Sequence, residues 1–364
     1  MASKILLLEP FYGGSHQQLT DFLHNVILQE ETDAVVDKVV MSDKKWQWRM
    51  RTSALYFAEH IEETASPYSC VFVSAVTNLA ELLGLRPDLI SAHKILYFHE
   101  NQLVYPVRNQ KDRDFQHGYS QIISCLAADK ILFNSYYNKT SFLDNINSFL
   151  KLMPDHRTKH LSDKIAPKCE VLYFPLCLPV KVETNLDDND EEPLHIVWAH
   201  RWEHDKNPEE LFEVLFRLHD ECLPFKISIL GQEYTDIPEI FHEAKKKLSI
   251  RILNWGYQPT KEDYWKVLGS ADVAISTAKH EFFGVSMLEA VSIGCYPLCP
   301  NRLVYPEFFP ADYLYNTCQQ LYKKLKNFCK RPDVVRKHKI QVNMSRFDCN
   351  VLKAKYLEHI MQKC

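Results

Sequence analysis

The feature that most constrains what this chain can fold into is a regular alternation of short apolar runs with amphipathic stretches. Apolar runs of strand length occupy residues 4–9, 34–41, 69–75, 93–100, 129–135 and 169–175, then 194–200, 225–231, 249–256, 271–277 and 295–301. Segments with helical spacing lie between them, among them 17–29, 78–83, 116–127, 208–220, 238–247 and 261–269. Alternation of this kind predicts parallel sheets covered by helices on both faces. Residues 181–193 (KVETNLDDNDEEP) separate the two sets; they are dense in acid and lack apolar periodicity, so they read as a linker. The expected class is α/β, with two doubly wound Rossmann-like domains facing each other across a cleft. The expected boundaries are 1–180 and 194–330, joined by the linker 181–193, with helices in 331–364 returning to the first domain. At 364 residues the chain accommodates two cores of ordinary size.

Composition narrows the function classes. A hydrophobic content of 46% excludes a disordered chain, and a net charge of −4 argues against a generally basic nucleic-acid binder while leaving room for local patches. The apolar run 5–8 is broken by Glu9 and Pro10, too short for a signal peptide or a membrane span. The 11 cysteines are scattered, without a C-x-x-C pair, which fits reduced thiols and argues against zinc. A soluble, cytoplasmic protein is expected, with the nucleus as an additional location and no membrane or obligate protein partner.

In open α/β sheets ligands sit beyond the carboxyl ends of the strands. The most informative such end is His280-Glu281-Phe282-Phe283-Gly284-Val285-Ser286-Met287-Leu288-Glu289-Ala290, in which two carboxylates eight residues apart flank a glycine turn that opens a helix ending at Gly294. The backbone N–H groups of Phe283, Gly284, Val285 and Ser286 form a ready anion site. Glu281 and Glu289 then bracket a bound phosphate and suit hydroxyl groups on either side. The competing reading makes Ser286-x-x-Glu289 a capping box and Glu281 a solvated loop acid. After the run 194–200 come Arg201 and Lys206, leading into a helix near Pro208; they suit a diphosphate leaving group, or are surface charges paired with Glu203 and Asp205.

The first strand ends in Phe11-Tyr12-Gly13-Gly14-Ser15-His16, a glycine turn that is not G-x-G-x-x-G, which weakens a nicotinamide or flavin site. The fourth ends in Tyr97-Phe98-His99-Glu100-Asn101-Gln102, where His99 is a sugar contact, a base or a structural histidine.

Together these motifs resemble the retaining GT-B glycosyltransferases of family 4, whose signature is two glutamates separated by seven residues. More narrowly, the Phe11 to His16 and Tyr97 to Gln102 stretches, Lys44-Lys45-Trp46-Gln47-Trp48-Arg49, and His200-Arg201-Trp202-Glu203-His204-Asp205-Lys206 are similar to the tRNA-queuosine α-mannosyltransferases. These enzymes move mannose from GDP-mannose to queuosine in the anticodon wobble position of a tRNA, tRNA-Asp by the resemblance. The resemblance implies that Glu281 contacts the transferred sugar and Glu289 the ribose, and that the amides of Phe283, Gly284 and Val285 after Phe282 hold the β-phosphate. Arg201 and Lys206 neutralise the departing diphosphate in place of a metal, and Gly13 and Gly14 complete the donor site. Catalytic roles fall to Glu281, Arg201, Lys206 and His99; no cofactor and no metal are implied beyond the GDP-mannose donor. A phosphate oxygen of the leaving group can take the acceptor proton, which leaves His99 as base or contact. Phe282 stands where many members carry proline, and His200 where glycine is common.

For the tRNA acceptor the resemblance implies Ser15, His16, His99, Asn101 and Gln102 together with Lys44, Lys45, Trp46, Trp48, Arg49 and Arg51. In the stretch 44–51 cations can hold phosphates while indoles stack on unpaired bases. The competing reading is an amphipathic helix with its tryptophans in the core. Arg108, Lys111, Arg113 and the run His156-Arg157-Thr158-Lys159-His160 are further basic sites. Three rivals stand beside this reading: a metal-dependent transferase using Asp188-Asn189-Asp190, a transferase with another nucleotide sugar and a glycan or lipid acceptor, and a non-catalytic RNA-binding module.

Overall fold

The computed structural model describes residues 3–31, 33–64, 66–105, 114–178, 192–232 and 237–362. Arg108, Lys111 and Arg113, and the linker up to residue 191 with Asp188-Asn189-Asp190, lie outside the described residues. Each of the eleven apolar runs overlaps a strand, and among the described residues the paired strands run parallel.

The chain divides into two compact units, residues 1–175 with 345–364, and residues 176–344. In the first unit the strands are β1 (Lys4–Tyr12), β2 (Val35–Ser42), β3 (Cys70–Ser74), β4 (His93–Phe98), β5 (Lys130–Phe133) and β6 (Cys169–Val171), in the order β2-β1-β3-β4-β5-β6. The order reverses between β1 and β3, so the segments after β1, β3 and β4 meet where an open sheet binds ligands. β1 continues to Tyr12, three residues past the expected end, with its register to β2 shifting between Glu9 and Tyr12. The core is continuous from Leu6 and Leu8 on β1 to Phe98 and Phe133, which stack with centroids 4.5 Å apart.

In the second unit the strands are β7 (Leu194–Ala199), β8 (Phe225–Leu230), β9 (Ile252–Gly256), β10 (Val273–Ile275), β11 (Tyr296–Pro300) and β12 (Leu314–Tyr315), in the order β12-β11-β10-β7-β8-β9. Here the order reverses at β7 and β10. The loops after these two strands therefore lie side by side, which brings residues 200–207 to residues 277–284.

The last helix, Cys349–Ile360, belongs to the first unit: Tyr356 Oη donates to the Tyr173 carbonyl at 2.9 Å, and Lys353 pairs with Glu30 at 2.7 Å. The return starts later than residue 331. Residues 331–344 stay with the second unit because Arg336 is held by Asp272 at 2.9 Å and by the carbonyl of Pro193 at 3.3 Å, at the start of β7. Among the described residues ten cysteines are free thiols, and no helix is long and apolar enough to cross a membrane.

Candidate functional site

The second unit places a glycine turn and a helix start at its switch point. β10 gives way to a loop closed by Gly284, whose φ of +78° suits glycine; an added Cβ there would also approach Tyr305 to 3.3 Å. The helix Val285–Ile293 starts at this glycine, and Gly294, in the left-handed region, ends it. The loop after β7 is locked to it, since Thr277 Oγ1 donates to the Lys206 carbonyl at 2.8 Å and Lys279 N donates to the Asp205 carbonyl at the same distance.

Glu281 is the centre of this arrangement, and its carboxylate folds back onto the helix start. Oε1 accepts from the N–H groups of Phe282 at 3.2 Å and Phe283 at 3.4 Å, and Oε2 accepts from Lys206 Nζ at 3.2 Å. A carboxylate beside helix-start donors and a buried ammonium takes the place that suits an anion. Burial pushes its pKa up, but Lys206, His200 and the Phe283 amide outweigh this and hold it at about 2.

The two cations expected to act together differ. Lys206 is buried; besides Glu281 it donates to the His280 carbonyl at 3.0 Å and lies 3.2 Å from Asp205 Oδ2, so the acids raise its pKa against the opposing effect of burial. The Arg201 side chain is half exposed and pairs with Glu203 at 3.3 Å. His200 and His280 flank the pair as neutral rings, their pKa values lowered to about 4 first by burial and then by Lys206.

Glu289, one turn farther on, is buried with both oxygens engaged: Lys261 Nζ lies 2.5 Å from Oε1, and Tyr264 Oη donates to Oε2 at 3.0 Å. The helix cap is Gly284, so Ser286 and Glu289 do not form a capping box. Lys261 and Tyr264 were not singled out from the sequence; they sit on the helix Lys261–Gly269, which carried no motif of its own.

The first unit gathers a second set of polar groups. Gly13 has an extended backbone, and its need for glycine is steric: an added Cβ would fall within 2.6 Å of three Asp43 side-chain atoms. Gly14 and Ser15 begin the helix Gly14–Glu30, followed by buried His16. His16 stacks on His99 with centroids 3.9 Å apart and planes 27° apart. The His99 carbonyl accepts from Asn134 Nδ2 at 2.7 Å, and its Nε2 is buried without a hydrogen-bond partner. Its pKa is driven well below the usual histidine value by burial and then by His16.

Asn101 is fully buried and saturated: its amide donates to Asn138 Oδ1 and Ser141 Oγ, each at 3.0 Å, while its carbonyl oxygen accepts from the N–H of Leu103 and Val104. These contacts tie its side chain to the loop. Gln102 keeps a buried Nε2 with no partner.

The stretch 44–51 divides along the helix Trp46–His60, which buries Met50, Ser53, Ala54 and Phe57. Trp46 lies on that side, its ring centroid 5.5 Å from that of His117 with the planes 64° apart, whereas Trp48 is 58% exposed. Lys44 and Lys45 are exposed; Arg49 is tied to Ser42 at 2.8 Å, and Arg51 lies 3.6 Å from Asp114. The run 156–160 is exposed throughout.

Among the described residues Glu9, His16 and His99 form a group with the composition of a metal site, one ligand-type atom of each lying within 4.8 Å of the others. Stacked imidazoles direct their lone pairs side by side in near-parallel planes, however, which disfavours convergence on one ion.

Against this geometry, residues 4–176 match the family described as tRNA-queuosine alpha-mannosyltransferase N-terminal, and residues 184–331 match glycosyl transferases group 1. A tRNA-queuosine alpha-mannosyltransferase of Drosophila melanogaster is 48% identical over 97% of this chain and 95% of its own length. Among solved structures, a sucrose-phosphate synthase of Thermosynechococcus elongatus superposes with a TM-score of 0.69 at 12% identity, covering 97% of each chain. A glycosyltransferase of Rickettsia africae does so with 0.63 at 16%, covering 100% of each. These likenesses establish the GT-B fold. The chain is a glycosyltransferase and belongs to the tRNA-queuosine α-mannosyltransferase family.

Proposed function

We propose that the enzyme transfers mannose from GDP-mannose to queuosine in the anticodon wobble position of tRNA-Asp, with retention of anomeric configuration and without a metal. The observation that supports this most is the 48% identity to the Drosophila mannosyltransferase over nearly the whole of both chains.

The second unit has the parts such a donor needs. A diphosphate that reaches the helix start at Gly284 competes with the Glu281 carboxylate for the amide donors and for Lys206. Once displaced, Glu281 is free to accept hydrogen bonds from sugar hydroxyls. Lys206 then stabilises the charge growing on the departing diphosphate, with Arg201 swinging from Glu203 to assist. Glu289 holds the ribose hydroxyls, presented by Lys261 and Tyr264. In the first unit Trp48, Lys44 and Lys45 offer stacking and charge to unpaired anticodon bases, and His99 offers Nε2 to a hydroxyl.

The deciding experiment incubates the purified protein with queuosine-containing tRNA and GDP-mannose, UDP-sugars in parallel, and analyses the nucleosides by mass spectrometry. A hexose added to queuosine from GDP-mannose alone is expected, also in the presence of EDTA. No hexose with intact donor would sink the assignment.

A further inference from the structure

Glu9 is a buried acid of the first unit that the reading above leaves without a role. It is 2% exposed on β1, and its Oε1 accepts from the N–H of Phe11 at 2.8 Å and from Ser74 Oγ at 3.2 Å. The same oxygen lies 3.1 Å from Nδ1 of His16, at ion-pair distance but without hydrogen-bond alignment. His16 is the ring that stacks on His99, and Tyr97 closes against the His99 edge with centroids 4.9 Å apart. Burying a carboxylate is costly, and so is burying a ring nitrogen with no partner, as His99 Nε2 is. Both occur here within one cluster at the sheet's switch point, where ligands bind.

We propose that Glu9 is a positioning residue for the acceptor: its charge fixes His16, the His16 ring fixes the plane of His99, and His99 Nε2 takes one hydroxyl of the acceptor's polyol ring. This rests on the glycosyl-transfer reading above. The neutral state in which burial and His16 hold His99 suits it, because a neutral imidazole exchanges hydrogen bonds with a hydroxyl without carrying charge. Asn134 steadies the same residue from the backbone side.

Glu9→Gln tests the chain of contacts, since a carboxamide oxygen can still accept from Phe11 and Ser74 while the charge is gone. The acceptor-saturated rate should fall roughly ten- to a hundredfold, the scale on which small misplacements act, with the KM for GDP-mannose and the melting temperature unchanged. In a His16→Ala background the same substitution should cost less than about twofold more, because residues that act as a unit are not additive. A wild-type rate in Glu9→Gln, or independent losses in the double variant, overturns the proposal. Nitrogen-15 NMR of the histidines reads the linkage without activity: Glu9→Gln should shift both His16 and His99, and a spectrum in which His99 stays put overturns it. Should the wild type transfer no hexose to tRNA, the functional reading falls while the NMR still decides the linkage. Stoichiometric metal in the purified protein that is lost in Glu9→Gln would make the cluster a metal site instead and also overturn it.

Discussion

The Lys206 ammonium lies 3.2 Å from the Glu281 carboxylate, and both side chains are largely shielded from water. Removing one partner of such a pair leaves the other charge buried alone, at a cost of about 3 kcal/mol or more. Lys206→Met should therefore lower stability in urea unfolding by about that amount and abolish transfer. Lys206→Met combined with Glu281→Gln should recover most of the stability and none of the activity. A double variant as unstable as the single one would show that the two charges are not coupled.

Acid should weaken the second unit in two overlapping windows. His200 and His280, at about 4 in the folded chain against 6.5 in the unfolded one, bind protons in the unfolded state first. Their contribution is complete above pH 6.5 and lost as pH falls toward 4. Glu281, at about 2 against 4.5, contributes above pH 4.5 and loses this as pH falls toward 2. The urea midpoint should thus decline continuously below pH 6.5, and His200→Gln should flatten the upper part of the decline. A midpoint level between pH 6.5 and 4.5 contradicts the two neutral rings.

How much of this was legible beforehand differs by residue. The alternation of apolar runs specified both sheets, and β12 escaped because two residues carry no periodicity. Glu281 and Glu289 stood out through their spacing around a glycine helix start, but the fold of Glu281 back onto the Phe282 and Phe283 amides depends on Lys206, 75 residues away. Glu9 with Ser74 and His16, and Lys261 with Glu289, are likewise joined only once the strand order is known. The division of Trp46 from Trp48 was available from helical phase: Trp46 precedes buried Met50 by four residues, and Trp48, two residues on, points away from that stripe. The loop contacts of Asn101 were not legible either, because a polar side chain after a strand looks the same whether it serves a loop or a substrate.

Glu289 is expected to act on donor binding. Glu289→Gln removes the charge that Lys261 and Tyr264 hold in place, and a hydrogen bond to a charged group is worth about 1.5–3 kcal/mol. The KM for GDP-mannose should rise by roughly ten- to a hundredfold with little change in kcat. Tyr264→Phe, which frees one oxygen of Glu289, should move KM in the same direction by less. A fall in kcat at unchanged KM would place Glu289 in the chemical step.

The stretch 44–51 separates by exposure. Trp48 is 58% exposed and Lys44 and Lys45 are exposed too, whereas Trp46 packs on His117. Trp48→Ala should weaken tRNA binding by about 1–3 kcal/mol, the value of one stacked base, and leave the melting temperature unchanged. Lys44→Ala with Lys45→Ala should reduce the slope of log K against log salt by about 1.4–1.8, as loss of two phosphate contacts requires. Arg49, committed to Ser42, should contribute less than either lysine when replaced by Ala. Trp46→Ala should lower stability instead. Filter binding across a salt series, paired with thermal melting, measures both quantities on each variant; tRNA affinity unmoved by Trp48→Ala would take this helix out of the RNA interface.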